Sequence, residues 1–287
     1  MNKLKENRIL SFIVILFVYA IAITAGIITY NLLDLDFWLN LLIADIVSTT
    51  ITFIFSLIFN NSSVYDPYWS VAPIVVVICY AIKFGINNIT IFPLIAVILW
   101  GIRLTLNWAY TFSNLNHEDW RYRMYKEKYP KIYFLVNYFG IHLFPTIVVY
   151  LCMLPIAYLF YKGTEFSYLI IIGFVISILA FLLQLISDIE MHKFRKLGTH
   201  KLIDVGLWKY SRHPNYLGEI SMWWGIYFMM VAILPNYWFL FIGALVNNLM
   251  FLFISIPMAE KRQSAKEGFV EYKSRTRMLL PIYKRQK

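Results

Sequence analysis

The chain has 287 residues, of which 60% are hydrophobic and 15% are charged, and it carries a formal net charge of +10. This composition excludes an ordinary soluble domain. A helix of about 20 apolar residues spans a bilayer, and the chain contains several such stretches. Because backbone groups at membrane depth must pair internally, the sequence predicts an all-α, polytopic membrane helical bundle.

Eight stretches are candidates for transmembrane helices. In chain order they are 9–33, 38–60, 69–84, 89–110, 132–161, 167–187, 216–234 and 237–258. The third stretch is short, so the prediction is seven to eight transmembrane helices. We find no internal repeat and no linker, and we predict a single integral membrane domain over 1–287, with N-terminal helices in 1–90 and a core in 91–287.

Basic residues precede the first stretch, fill 111–131 and 188–213, and follow residue 260. With eight crossings all these segments fall on one side, which the positive-inside rule makes cytoplasmic, together with both termini. The same rule accounts for most of the positive charge. The basic composition therefore predicts no nucleic-acid partner.

The fourth stretch contains an arginine. In "LWGIRLTLNW", Arg103 follows Trp100 by three residues and precedes Asn107 by four, so the three share one helix face. A guanidinium inside a membrane span must face a partner or a wet cavity, which favours a site. Snorkelling to cytoplasmic water is the alternative, and the sequence leaves both open.

The sixth stretch leaves the membrane through "QLISDIEMHKFRKLG". Gln184, Asp188 and Arg195 are spaced four and seven apart, so they form one stripe if the helix continues past the bilayer. Such a stripe suits a bound polar molecule. An ordinary basic flank with Asp188 in an ion pair is the alternative.

Residues 210–225 read "YSRHPNYLGEISMWWG". Pro214 is suited to the first position of a helix, whose free N–H groups beside Arg212 and His213 would favour an anion. Asn215 and Glu219 are four apart on one face, and a carboxylate at that depth is costly unless a polar or cationic group meets it. A capped helix with Glu219 paired to an arginine is the simpler interpretation.

The chain after Pro257 is charged but retains apolar residues, which is typical of an amphipathic lid or of an interfacial anchor. Glu260, Lys261 and Arg262 lie where it leaves the membrane. The chain contains no G-x-G-x-x-G, no H-E-x-x-H and no C-x-x-C, and its five histidines show no metal-ligand spacing. The sequence therefore predicts no metal site and no Rossmann domain.

The segment "GLWKYSRHPNYLGEISMWWG" and the ending "EGFVEYKSRTRMLLPIY" resemble the steroid 5-alpha-reductase-like membrane proteins, especially their bacterial relatives of unassigned function. The isoprenylcysteine carboxyl methyltransferases share a related R-H-P-x-Y-x-G element. The resemblance covers roughly residues 95–287. It implies a helical bundle whose cytoplasmic mouth binds NADPH through Gln184, Asp188, Arg195, His200, Asn215 and Glu219, with Lys261 near a family histidine.

The sequence departs from the steroid-reducing enzymes in two places. We can place no Gln–Glu pair in an early helix, and Trp100 stands where a tyrosine is expected. The resemblance therefore implies reduction of a steroid-like compound, another enone or a polyprenyl-type double bond. In this hypothesis Arg195, Lys196, Arg212 and Lys261 supply cations for the phosphates of NADPH. The expected catalytic residues are Arg103, Asp66, Tyr68 and Glu219.

The alternative hypothesis is an S-adenosylmethionine-dependent methyltransferase of a membrane-borne acceptor. Its cofactor would contact His213, Tyr216, Glu260 and Arg262. A carrier or membrane scaffold is a third possibility. In both enzymatic hypotheses the partner is a lipophilic small molecule that enters from the bilayer, besides membrane lipids, and the expected location is a bacterial inner membrane. The sequence does not indicate an oligomeric state.

Overall fold

The computed structural model describes residues 5–199 and 201–281. Over these residues the chain is helical, without any β-strand, and one isolated bridge joins Ser211 to Arg277. Eight described segments are long and apolar enough to cross a membrane: Arg8–Leu32, Phe37–Ile58, Ser62–Phe84, Ile91–Thr111, Pro130–Lys162, Ile170–Lys196, Pro214–Ile233 and Pro235–Gln263. The predicted all-α, polytopic class is confirmed, and the count is the higher of the two predicted. The cytoplasmic placement of the termini stays a prediction.

The α-helices are α1 (Arg8–Leu32), α2 (Phe37–Phe59), α3 (Tyr68–Phe84), α4 (Ile91–Thr111), α5 (Trp120–Lys128), α6 (Tyr133–Leu135), α7 (Phe144–Lys162), α8 (Ile170–Lys196), α9 (Pro214–Ile233), α10 (Ile242–Met250), α11 (Ile256–Gln263) and α12 (Phe269–Arg275). Two π-helices, Val136–Leu143 and Phe251–Ser255, interrupt the fifth and eighth membrane segments. Short 3₁₀ turns cover Ser62–Tyr65, Pro130–Ile132, Gly206–Lys209 and Pro235–Phe241.

Helix boundaries follow from local chemistry. The side chain of Asn7 accepts hydrogen bonds from the N–H groups of Ile9 and Leu10 and so caps α1. Helix α2 ends at Asn60, which adopts the left-handed conformation with φ of 48°. As predicted, Pro214 is the first residue of α9, and α8 continues to Lys196, beyond Arg195.

The chain divides into two compact units. The first contains the described residues up to Gly85 together with Val97–Ala157, and the second contains Ile86–Ala96 and the described residues from Tyr158 onward. The prediction of a single domain divided near residue 90 stays a prediction. In the first unit α1 packs along α2, and in the second α8 packs along α9.

The approach of α8 to α9 depends on glycines. A Cβ on Gly225 would lie 2.8 Å from the carbonyl oxygen of Gly173, and one on Gly218 would lie 2.4 Å from Cγ of Gln184. Small residues allow helix backbones in membranes to come this close. This packing places polar side chains of α8 directly against α9.

Candidate functional site

In the second unit, Glu219 lies at the contact between α8 and α9. Its side chain is buried, with 5% of the residue exposed. Its Oε2 accepts from Nε2 of Gln184 at 2.9 Å, and its Oε1 accepts from Nε1 of Trp223 at 3.0 Å. Two neutral donors therefore meet the carboxylate. The pairing of Glu219 with a neighbouring arginine stays an alternative prediction.

Gln184 is also buried, with 1% of the residue exposed. Because an ionised Glu219 can only accept hydrogen bonds, the amide nitrogen of Gln184 must face it, and this assigns the orientation of the amide. The amide oxygen then points away from Glu219. It has no hydrogen-bond partner among the described residues, although it is buried. A ligand with an N–H group would satisfy this oxygen.

The other members of the predicted stripe are more exposed to solvent than Gln184 is. Asp188 is partly buried and Arg195 is exposed near the end of α8, and their opposite charges interact. Asn215 and Tyr216 are partly buried in the first turn of α9. His200 lies outside the described residues. The structure thus places Gln184, Asp188 and Arg195 along one helix, with Asn215 and Glu219 on its neighbour.

Arg212 forms an ion pair with Glu260. Its Nε lies 2.8 Å and its Nη2 lies 2.5 Å from Oε1 of Glu260, and its Nη1 donates to the carbonyl of Thr276. Nζ of Lys273 lies 3.0 Å from the other oxygen of Glu260. Arg212 therefore holds Glu260 and the C-terminal segment together, and its predicted contact with an anionic ligand stays a prediction.

His213 lies beside the same carboxylate, with Nε2 at 3.5 Å from Oε1 of Glu260. Burial, opposed by Glu260 and assisted by the charge of Arg212, lowers the pKa of His213 to about 4. At neutral pH the imidazole is uncharged. Its ring stacks on Tyr216 with centroids 5.3 Å apart, and Tyr216 in turn contacts Phe251 at 4.9 Å.

The segment after residue 263 is fastened to the loop that precedes α9. The hydroxyl of Tyr272 donates to the carbonyl of Trp208 at 2.6 Å, and the backbone N–H of Arg212 donates to the carbonyl of Arg277 at 2.9 Å. An exposed ion pair joins Arg275 to Asp204 at 2.7 Å. The residues after 263 therefore form a strap that lies on residues 204–212, and the lid and the interfacial anchor both stay predictions.

Several cationic side chains lie close together near this strap. Lys261 and Arg262 are exposed. Burial, and then the positive charges of Arg262 and Arg195, lower the pKa of Lys266. Arg195 at the end of α8 and the two C-terminal residues Arg262 and Lys266 repel one another, and together they are suited to an anion.

The remaining predicted catalytic residues belong to the first unit. Asp66 accepts from the hydroxyl of Tyr122 at 2.6 Å. Burial, and then the charge of Asp66, raise the pKa of Tyr122 well above its ordinary value, so this phenol stays a donor. Arg103 is 7% exposed, which does not fit the snorkelling interpretation.

Tyr68 has a partner that the sequence reasoning missed. Its hydroxyl donates to Oδ1 of Asp45 at 2.7 Å. Asp45 also lines a small cleft of about 20 Å³, whose other walls include Leu41, Ala72, Val76, Val149 and Met153. The sequence could have singled out Asp45, because it is the one charged residue of the second membrane stretch. Its partner could not be read from the sequence.

Comparison with known proteins gives a family and no activity. A family model described as "Protein of unknown function (DUF1295)" matches residues 52–276, which is more than half of the chain. An uncharacterised protein of Schizosaccharomyces pombe is 29% identical over an alignment of 154 residues, and the match covers 45% of this chain and 44% of that protein. The chain thus matches less than half the length of this relative. No solved structure matches. The chain belongs to the DUF1295 family of proteins.

Proposed function

We propose that this protein is a membrane-embedded NADPH-dependent reductase of a lipophilic substrate with a conjugated double bond. The observation that best supports this proposal is the hydrogen-bonded pair of Gln184 and Glu219, which is buried between α8 and α9. Both residues belong to the pattern that resembles the steroid 5-alpha-reductase-like proteins. The bacterial inner membrane remains our proposed location.

The donor set of the second unit fits a dinucleotide phosphate. Phosphate groups bind where several cations gather, and Arg195, Arg262 and Lys266 form such a group. The buried amide oxygen of Gln184 needs an N–H donor, which the carboxamide of nicotinamide carries. When bound, NADPH supplies a hydride. The chain binds and orients it and excludes water from the membrane interior.

S-adenosylmethionine remains a second candidate because of one feature. The aromatic groups of His213, Tyr216 and Phe251 contact one another, and aromatic faces attract a sulfonium cation. Against this candidate, Glu260 is the carboxylate expected to meet that cofactor, and Arg212 and Lys273 already neutralise it.

Thermal unfolding of the purified protein in detergent distinguishes the candidates. The midpoint is measured with NADPH, NADH and S-adenosylmethionine. A ligand at about a hundred times its dissociation constant stabilises the folded state by roughly 2.7 kcal/mol. We expect stabilisation by NADPH. Stabilisation by S-adenosylmethionine alone would replace the reductase by the methyltransferase, and no stabilisation by any of the three would favour a carrier.

A further inference from the structure

Asn247 lies near the middle of the eighth membrane segment, Pro235–Gln263. The buried residues of α10 are Gly243, Ala244 and Asn247, so Asn247 is the one polar side chain among them. It is 2% exposed, and its Nδ2 has no hydrogen-bond partner among the described residues. A buried amide nitrogen without an acceptor costs free energy. Polar side chains at this depth of a membrane commonly serve a ligand.

Asn247 lies at about the same depth as the carboxylate of Glu219. Helix α9 packs against α10, and the rings of Tyr216 and Phe251 meet with centroids 4.9 Å apart. The short connection Pro235–Phe241 joins the two helices, so they run in opposite directions. Glu219 follows Tyr216 by three residues, and Asn247 precedes Phe251 by four. At about 1.5 Å per residue, Glu219 lies about 4.5 Å and Asn247 about 6 Å deeper than the ring contact.

Two polar atoms of opposite kind are therefore unsatisfied at this depth of the second unit. Oε1 of Gln184 accepts and Nδ2 of Asn247 donates, and both atoms are buried without a partner among the described residues. Gln184 belongs to the same layer because its Nε2 donates to Glu219. In the proposed function the Gln184 oxygen meets the carboxamide of nicotinamide. The Asn247 nitrogen then suits an acceptor oxygen of the other reactant.

The helix that carries Asn247 also faces lipid. Leu249 is 41% exposed and Phe253 is 73% exposed. The π-helix Phe251–Ser255 begins one turn after Asn247. Such π-helical turns within α-helices occur frequently at functional sites. A molecule dissolved in the bilayer thus meets the same short segment whose opposite face carries the Asn247 amide.

We propose that Asn247 is a further catalytic residue, whose Nδ2 donates a hydrogen bond to the carbonyl oxygen of a lipophilic enone. In the proposed function, on which this inference rests, the carbon β to the carbonyl receives the hydride, so the enone is reduced and NADPH is oxidised. The electron pair of the double bond shifts towards the carbonyl, whose own pair moves to oxygen. Asn247 stabilises the oxygen anion that forms. Water that enters after hydride transfer protonates the α carbon, and the carbonyl forms again.

The first arm of the test needs no cofactor. The probe is 2-undecanone labelled with ¹³C at its carbonyl, a lipophilic ketone without a double bond, added to the protein in lipid. We expect an infrared band at lower wavenumber than that of the ketone in lipid alone, from ketone that accepts a hydrogen bond. Asn247→Leu should remove this band. The matched control Asn248→Leu, which removes the neighbouring and partly buried amide, should retain it.

The two variants are suited to this comparison because leucine is close to asparagine in size. Nδ2 of Asn247 has no partner among the described residues, so its replacement should not lower the unfolding midpoint. The second arm measures oxidation of NADPH by 3-nonen-2-one, a simple lipophilic enone, together with the affinity for NADPH. We expect Asn247→Leu to slow turnover about a hundredfold at unchanged NADPH affinity, because one donor to the oxygen anion is lost. Asn248→Leu should match the wild type in both measurements.

The two arms separate this inference from the proposed reductase. A hydrogen-bonded ketone band that is missing from the wild type, or that persists in Asn247→Leu, would overturn the role of Asn247 even if NADPH is oxidised normally. Equal turnover of Asn247→Leu and wild type would overturn it as well. A band that Asn247→Leu removes, in a protein that neither binds nor oxidises NADPH, would support carbonyl binding by Asn247 and overturn the proposed reductase.

Discussion

Gln184 donates a hydrogen bond to Glu219 across the contact between α8 and α9, with 2.9 Å between nitrogen and oxygen. Trp223, one turn further along α9, donates to the other carboxylate oxygen at 3.0 Å. This arrangement fixes the direction of the Gln184 amide, because the carboxylate accepts and cannot donate. In the proposed reductase the fixed amide oxygen is the group that recognises the cofactor.

Glu219→Gln tests this orientation. A glutamine at 219 still accepts from Trp223, but it can also donate to Gln184, so the Gln184 amide is no longer held in one direction. We expect the affinity for NADPH to fall about tenfold, measured from the fluorescence of the bound nucleotide. The unfolding midpoint without ligand should change little.

Glu267→Gln is the control, because it removes the same charge from an exposed position. Equal affinity of both variants and wild type would show that Glu219 does not organise the cofactor site.

Gly218→Ala tests the close approach of the two helices. A Cβ there would lie 2.4 Å from Cγ of Gln184 and 2.8 Å from the carbonyl oxygen of Ala180. Because the second contact is with backbone, α8 and α9 must separate. We expect a loss of about 1–3 kcal/mol of stability, seen as a lower unfolding midpoint in detergent. Gly140→Ala is the control, since its nearest neighbour would be 4.0 Å away. Equal midpoints for the two variants would contradict the packing described.

Arg212→Ala tests the attachment of the strap. The variant leaves Glu260 without its closest cation and frees the carbonyl of Thr276. We expect a loss of about 3 kcal/mol of stability and faster cleavage of the C-terminal segment by trypsin. The comparison is Arg275→Ala, which breaks an exposed pair with Asp204 and should cost less than about 1 kcal/mol. A strap that stays protected in Arg212→Ala would show that other contacts hold it.

The lowered pKa of His213 makes the free energy of unfolding depend on pH. It lies at about 4 in the folded protein and near its ordinary value of 6.5 once unfolded. Between these values the unfolded state binds more protons, so stability falls as the pH is lowered from about 6.5 towards 4. We expect His213→Gln to remove about 1–2 kcal/mol of the difference in stability between pH 7 and pH 5. Unfolding midpoints of both proteins at the two pH values measure this. Parallel pH profiles would contradict the buried, neutral state of His213.

The membrane-spanning helices could be predicted from sequence because they depend on local properties. Runs of apolar residues predict the eight spans, and Pro214 marks the start of α9 through its missing N–H. The four- and seven-residue spacings of Gln184, Asp188 and Arg195 predict one helical stripe, and α8 does extend past Arg195. These inferences need only neighbours along one helix.

The partners of the polar residues could not be predicted, because they come from distant positions. Arg212 suggests an anion site in the sequence, yet it also pairs with Glu260, which is 48 residues away and accepts from its Nε and Nη2. Asp45 stands alone in its stretch, and only folding brings the Tyr68 hydroxyl, 23 residues on, to it. Spacing along one helix does not identify contacts between helices.

The most direct test of the proposed reductase is the transfer of deuterium from NADPH labelled at the transferable position of the nicotinamide ring. The protein is reconstituted with a lipid extract of its host membrane, incubated with the labelled cofactor, and the lipids are analysed by mass spectrometry. We predict a reduced lipid carrying one deuterium with the wild-type protein, and much less of it with Glu219→Gln. A lipid that gains a labelled methyl group from S-adenosylmethionine, with no deuterium from NADPH, would contradict the account.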